Sequence, residues 1–140
     1  MLIASLTRRV SFAAAHRYRR SDWDEARNAA IFGACAHPNY HGHTYLCDVT
    51  VQGPIDPDTG MIVDLGLLDR VLATEVRARF DHRNINLDVL EFRDGGLIPT
   101  TENLARFIFE RVQQALGARP EVASVVVAED ATLWSRYART

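Results

Sequence analysis

The chain has 140 residues, 47% of them hydrophobic and 24% charged, the proportions of an ordinary globular domain, which excludes a disordered, collagen-like or coiled-coil chain. Sixteen basic side chains against eighteen acidic ones give a formal charge of -2, which argues against a broad nucleic-acid-binding surface. All the basic residues are Arg, so lysine Schiff-base and lysine-nucleophile chemistry is excluded, and two cysteines, Cys35 and Cys47, are too few for a stapled secreted scaffold.

Residues 1–5 are followed by Arg8 and Arg9, the reverse of a secretory signal's basic-then-apolar order. No apolar run approaches the roughly 18 residues of a membrane span, so a soluble cytoplasmic protein with no membrane partner is expected. Residues 2–15, with Ile3, Val10 and Phe12 and no Gly or Pro, read as an opening strand ending at His16. Residues 17–38 are rich in charge, with Trp23, Ile31 and Phe32 as large apolar anchors, and read as a long loop with one helical turn; such loops are usually functional or disordered. The run HTYLCDVTVQ over 43–52 alternates and forms a second strand, which pairs with the first and is ended by the turn GPIDPDTG at 53–60.

Asp64 caps a helix over about 65–80, with Leu68, Val71, Leu72 and Val76 at helical spacing. Thr101 reads as the N-cap of a second helix carrying Leu104, Phe107, Ile108, Val112 and Leu116, closed by Gly117 and Pro120. Strands over 121–129 and 132–137 finish the chain, reversing at Asp130-Ala131. The order is ββααββ, an α+β class with two helices on one face of a four-stranded antiparallel sheet. The open edges of so small a sheet call for a closed homo-oligomer.

All five histidines fall near strand ends or turns. His41 and His43, one residue apart, leave the same face of a strand, and His16 ends the neighbouring one. Three imidazoles from two strands with a fourth position open are the ligand set of a catalytic zinc; the plainer reading makes them turn residues beside Gly42. Cys35 is either a partly exposed thiol with a depressed pKa near a cation or a packed loop cysteine, while Cys47, in mid-strand, is packing. Asp81 beside His82 either fixes the imidazole tautomer or ends a helix. Glu129, ending a Val-rich strand, is either an edge charge or a receptor for a planar group with two N–H donors.

Five stretches taken together resemble the 6-pyruvoyltetrahydropterin and 6-carboxytetrahydropterin synthases: SFAAAH at 11–16, FGACAHPNYHGHTY at 32–45, DHRN at 81–84, TTENLA at 100–105 and AED at 128–130. The resemblance runs from about Thr7 to Tyr137. It implies the tunnelling fold, also ββααββ, assembled into a barrel, usually as a hexamer of two trimers. It implies zinc held by His16, His41 and His43, Cys35 as proton acceptor, and Asp81 and His82 as a proton relay. Glu129 would anchor the pterin ring, with Thr100, Thr101 and Glu102 at the pterin end of the pocket. The implied substrate is 7,8-dihydroneopterin triphosphate, with Arg17, Arg19 and Arg20 as candidates for its triphosphate. The implied product is 6-pyruvoyltetrahydropterin; the alternatives are 6-carboxytetrahydropterin, made on the queuosine route, and a non-catalytic pterin-binding relative.

Overall fold

The computed structural model describes residues 2–93 and 95–140. Its elements are β1 (Ala4–His16), α1 (Glu25–Phe32), a 3-10 turn (Gly33–Ala36), β2 (His41–Gly53), α2 (Leu65–Leu72), a π-helical segment (Ala73–Arg77), α3 (Ala78–Phe80), β3 (Arg83–Asn84), α4 (Ile85–Asp88), a second 3-10 turn (Leu90–Phe92), α5 (Thr101–Leu116), β4 (Glu121–Asp130) and β5 (Leu133–Ala138). The sheet has five strands in the order β3-β1-β2-β4-β5 and is mixed.

The expected four-stranded antiparallel sheet is thereby corrected. β3 pairs parallel to β1, with Ala14 opposite Arg83 and Ala15 opposite Asn84. Two residues carry no periodicity to read; what creates this strand is the pairing of Ala14 and Ala15 with the chain leaving the helix at Asp81. The predicted helix over 65–80 is present but passes through the π-helical segment at Ala73–Arg77. The expected loop at 17–38 contains two turns of α1, started by Asp24, whose carboxylate accepts the Arg27 N–H at 2.7 Å. The N-cap of α5 is Thr100 and not Thr101, because Thr100 has extended dihedrals and its hydroxyl accepts the Asn103 N–H.

Period-two alternation decides what the sheet buries. Phe12 and Ala14 on β1, Tyr45, Cys47, Val49 and Val51 on β2, and Val125 and Val127 on β4 all point into the core that α2 and α5 cover with Leu68, Leu72, Leu104, Ile108 and Val112. Each Val, Leu, Ile or Phe among these contributes about 1.5–3 kcal/mol when fully buried. Phe80 links the layers, its ring 5.3 Å from Phe12 and 5.9 Å from Phe107. At one end of the sheet the same inward alternation continues past the apolar residues to His16, His41, His43 and Glu129, so the core face becomes the site.

Candidate metal centre and substrate pocket

β1 and β2 pair antiparallel with His16 opposite His41 and Ala14 opposite His43. Direct opposition combined with the two-residue step from His41 to His43 puts three imidazoles on one face. The ring centroids of His16 lie 4.6 Å from His41 and 5.1 Å from His43. One nitrogen from each falls within 4.8 Å of the others.

Hydrogen bonding sets the tautomer of His16. Its Nδ1 lies 2.8 Å from the Pro99 carbonyl oxygen and 3.0 Å from the Tyr45 hydroxyl. A carbonyl only accepts, so Nδ1 carries the proton and Nε2 holds the lone pair facing inward, the arrangement that an outer carbonyl imposes on a metal-binding imidazole. Burial pushes the His16 pKa down to about 4. Burial also lowers that of His41, aided by the neighbouring His43. Both rings therefore stay neutral near pH 7, as metal ligands must.

The Nε2 atoms of His16 and His43 and Oε2 of Glu129 are buried and have no hydrogen-bond partner. Glu129 Oε2 is 3.6 Å from His43 Nε2 and 3.9 Å from His16 Nε2. Orphaned buried polar atoms cost about 1–3 kcal/mol each, and the two orphaned nitrogens lie, with one from His41, close enough together to hold a cation, with the Glu129 carboxylate beside them. Three imidazole donors suit zinc with a position left open.

Around this point lie Cys35, Tyr18 and the start of α5. Cys35, on the 3-10 turn, is partly exposed, and its carbonyl accepts the Tyr18 N–H at 2.7 Å. Of the two sequence readings of Cys35, the depressed thiol pKa is not found: burial and then the Glu129 carboxylate push the thiol up. A depressed value requires a cation beside the thiol, whereas the charge that acts on it from the chain itself, Glu129, is negative. Cys47 is fully buried and packs in the core, as expected. On α5, Thr101 is buried and its hydroxyl lies 2.6 Å from that of Ser135; Glu102 Oε1 accepts from both hydroxyls, at 3.1 and 3.2 Å. Ser135 and Tyr18 carry no signal in the sequence; they come to the site through strand pairing and the fold of residues 17–36.

Asp81 and His82 form a separate unit on the far side of β1. Asp81 accepts the Ala13 N–H at 2.9 Å and the Arg77 guanidinium at 3.3 Å, and lies 3.1 Å from His82 Nδ1. The Ala13 bond first, then His82 and Arg77, holds its carboxyl below the usual range. His82 takes a left-handed φ of 59°, its N–H donates to the Ala13 carbonyl at 2.6 Å, and its side chain is 85% exposed. Among the described residues no hydrogen bond or ion pair links this pair to Cys35. Arg19 and Arg20 engage the carboxylates of Glu25 and Asp22, and Arg17 lies 4.9 Å over the Tyr40 ring.

A small mixed sheet covered by helices, with three histidines that could hold a metal ion and a carboxylate converging at its end, is the arrangement to set beside known proteins. A sequence model of the 6-pyruvoyl tetrahydropterin synthase family matches residues 5–140. The chain belongs to this family. It is 40% identical over 113 residues to human 6-pyruvoyl tetrahydrobiopterin synthase, covering 81% of this chain and 77% of that one. It is 34% identical over 110 residues to the 6-carboxy-5,6,7,8-tetrahydropterin synthase of Bacillus subtilis, covering 75% and 70%. The structure of Caenorhabditis elegans 6-pyruvoyl tetrahydropterin synthase superposes with a TM-score of 0.92 at 32% identity, over 100% of this chain and 98% of that one.

Proposed function

We propose that this chain is a zinc-dependent lyase that converts 7,8-dihydroneopterin triphosphate to 6-pyruvoyltetrahydropterin with elimination of triphosphate. The observation that carries the reading is the convergence of the orphaned Nε2 atoms of His16 and His43 beside Glu129 Oε2, in a chain 40% identical to a named synthase. Zinc held by His16, His41 and His43 would supply Lewis-acid polarisation of the substrate's side-chain oxygens, acidifying the adjacent C–H bonds.

The protein's own groups then have distinct tasks. Cys35 takes the proton from carbon; it requires a thiolate for this, and since the pKa is raised in the free chain the positive charge of a bound metal would be needed to favour the anion. Asp81 fixes and polarises His82 as a proton relay. Because the His82 side chain faces solvent, the pair serves a site completed by a second copy, in keeping with the homo-oligomeric barrel, a hexamer, expected for the family. Thr100, Thr101 and Glu102 line the pterin end. The resemblance gives the pterin anchor to Glu129; with Glu129 Oε2 beside the histidines, we propose instead that Glu102, with Oε1 steadied by two hydroxyls, takes the paired N–H donors of the 2-amino-pyrimidinone edge. Glu129 keeps Oε2 beside the histidines and presents its other oxygen to the substrate. No nicotinamide or flavin is required, since oxidation of the side chain reduces the ring internally.

The test is product analysis by mass spectrometry after incubation of the zinc-loaded protein with 7,8-dihydroneopterin triphosphate. 6-Pyruvoyltetrahydropterin together with one triphosphate per turnover is expected. The relationship to the Bacillus subtilis enzyme keeps one alternative, 6-carboxytetrahydropterin, whose formation would show as release of the terminal carbons as acetaldehyde. Pterin binding without turnover would mark a non-catalytic relative.

A further inference from the structure

Residues 17–40 lie between the histidines of β1 and those of β2, yet none of their side chains belongs to the main apolar core. The segment is held by its own interactions. At its centre is Asn28, 1% exposed and the one buried residue of α1. Its Nδ2 donates to the carbonyls of Arg20 at 3.0 Å, Asp24 at 3.0 Å and Trp23 at 3.3 Å, and its Oδ1 accepts the Arg20 N–H at 2.8 Å. One amide thus fastens the turn at 20–24 to α1 through both of its polar atoms. A buried amide so fully used is costly to remove, because its partners lose their bonds without access to water.

From this hub a chain of aromatic rings leads to the site. Trp23 stacks on Phe32 at 5.6 Å with the Arg27 guanidinium 4.0 Å from the Trp23 ring centre; Phe32 meets Tyr18 edge-on at 5.9 Å, and Tyr18 meets His16 at 5.2 Å. The Tyr18 N–H donates to the Cys35 carbonyl at 2.7 Å. Between Phe32 and Cys35 stands Gly33, at φ 59° and ψ -133°, a conformation that an L side chain adopts only with strain. It turns the chain out of α1 into the 3-10 turn that carries the thiol.

We infer that Asn28 is a positioning residue for Cys35: its hydrogen-bonded hub, acting through the Phe32–Tyr18 packing and the Gly33 turn, fixes where the thiol stands relative to the histidines. The inference rests on the reading above for its catalytic consequence, but the position of the thiol is measurable without turnover. A reacting group displaced by about 1 Å costs up to about 100-fold in rate even when the displacing change is remote. Asn28 touches neither the histidines nor the carboxylates at the site, so substrate affinity should be spared.

The test uses the full-length, zinc-loaded protein and the variants Asn28→Ala, Gly33→Ala and Cys35→Ser. Iodoacetamide labelling of Cys35, followed by peptide mapping with buried Cys47 as the internal reference, should change in rate by about tenfold in Asn28→Ala, with zinc content held. kcat should fall by about 10- to 100-fold with KM within about twofold of wild type. Gly33→Ala, whose added Cβ meets no atom within 4 Å, strains only the backbone turn and should shift both readouts in the same direction; it decides the matter if Asn28→Ala does not fold. Wild-type labelling kinetics in a folded, zinc-loaded variant would overturn the inference. Full turnover by Cys35→Ser would instead overturn the role given to the thiol, while a changed labelling rate in Asn28→Ala would still uphold the positioning.

Discussion

The two ends of the helix-covered sheet face are built from the same alternating strands and differ in how their polar atoms are treated. Beneath α2 and α5 the buried side chains are apolar, Phe12, Leu68, Leu104, Ile108 and Val125 among them. At the histidine end three of the four buried orphaned side-chain atoms in the described residues are gathered; the fourth, Arg111 Nε, lies 3.7 Å from the Glu75 carboxylate. The difference teaches that the fold leaves polar groups unpaired where a ligand is to pair them. Stability is supplied at one end of the face, and at the other it is given up for binding.

That contrast breaks most readily at the ligands. His43→Ala should reduce bound zinc from about one per chain to a trace, with loss of turnover and little change in melting temperature of the metal-free protein; metal analysis beside calorimetry checks it. The mirror experiment is Leu72→Ala in the core. It should cost about 2–5 kcal/mol of unfolding free energy, while the folded fraction still binds zinc. A core variant that lost zinc without losing stability would erase the distinction between the two ends.

Acid sharpens the same comparison. His16 is held near a pKa of about 4 in the folded chain, against an ordinary value of 6.5. The unfolded chain therefore takes up this proton first as pH falls, and stability is lost between about pH 6.5 and 4, by on the order of 3 kcal/mol. Denaturant unfolding of the zinc-free protein across this window should show the loss, and His16→Asn should flatten it; equal slopes would contradict the account. Glu102→Gln sets a donor against the substrate's donors and should weaken pterin binding by on the order of 2 kcal/mol, read by calorimetry with zinc content unchanged. Glu129→Gln should lower turnover more than pterin affinity; the opposite pattern would exchange the two roles. The smallest effect belongs to Cys47→Ala, which should leave turnover near wild type while Cys35→Ala abolishes it.

Much of this was legible in the sequence because alternation carries through it. The step from His41 to His43 and the series Val125, Val127 and Glu129 put their side chains on one face before any contact is known. The cap at Asp64, the stripe on α5 and the place of Cys47 were readable for the same reason: local pattern matches burial. What escaped depends on partners distant in sequence. β3 exists because Ala14 and Ala15 pair with Arg83 and Asn84. The tautomer of His16 depends on Pro99, 83 residues away. The α1 segment looked like a loop because its stabilisation comes from one buried amide and a short aromatic row, not from an amphipathic stripe. The raised thiol pKa comes first from burial and then from Glu129, which no spacing places beside Cys35.

The central claim is that the three histidines hold a metal on which the chemistry depends. Zinc stripped with a chelator and returned by titration should bind at about one equivalent per chain, and turnover of 7,8-dihydroneopterin triphosphate should vanish and return in step with occupancy, with neither binding nor recovery in His43→Ala. Full turnover by the exhaustively stripped protein, or identical zinc binding by wild type and His43→Ala, would contradict it.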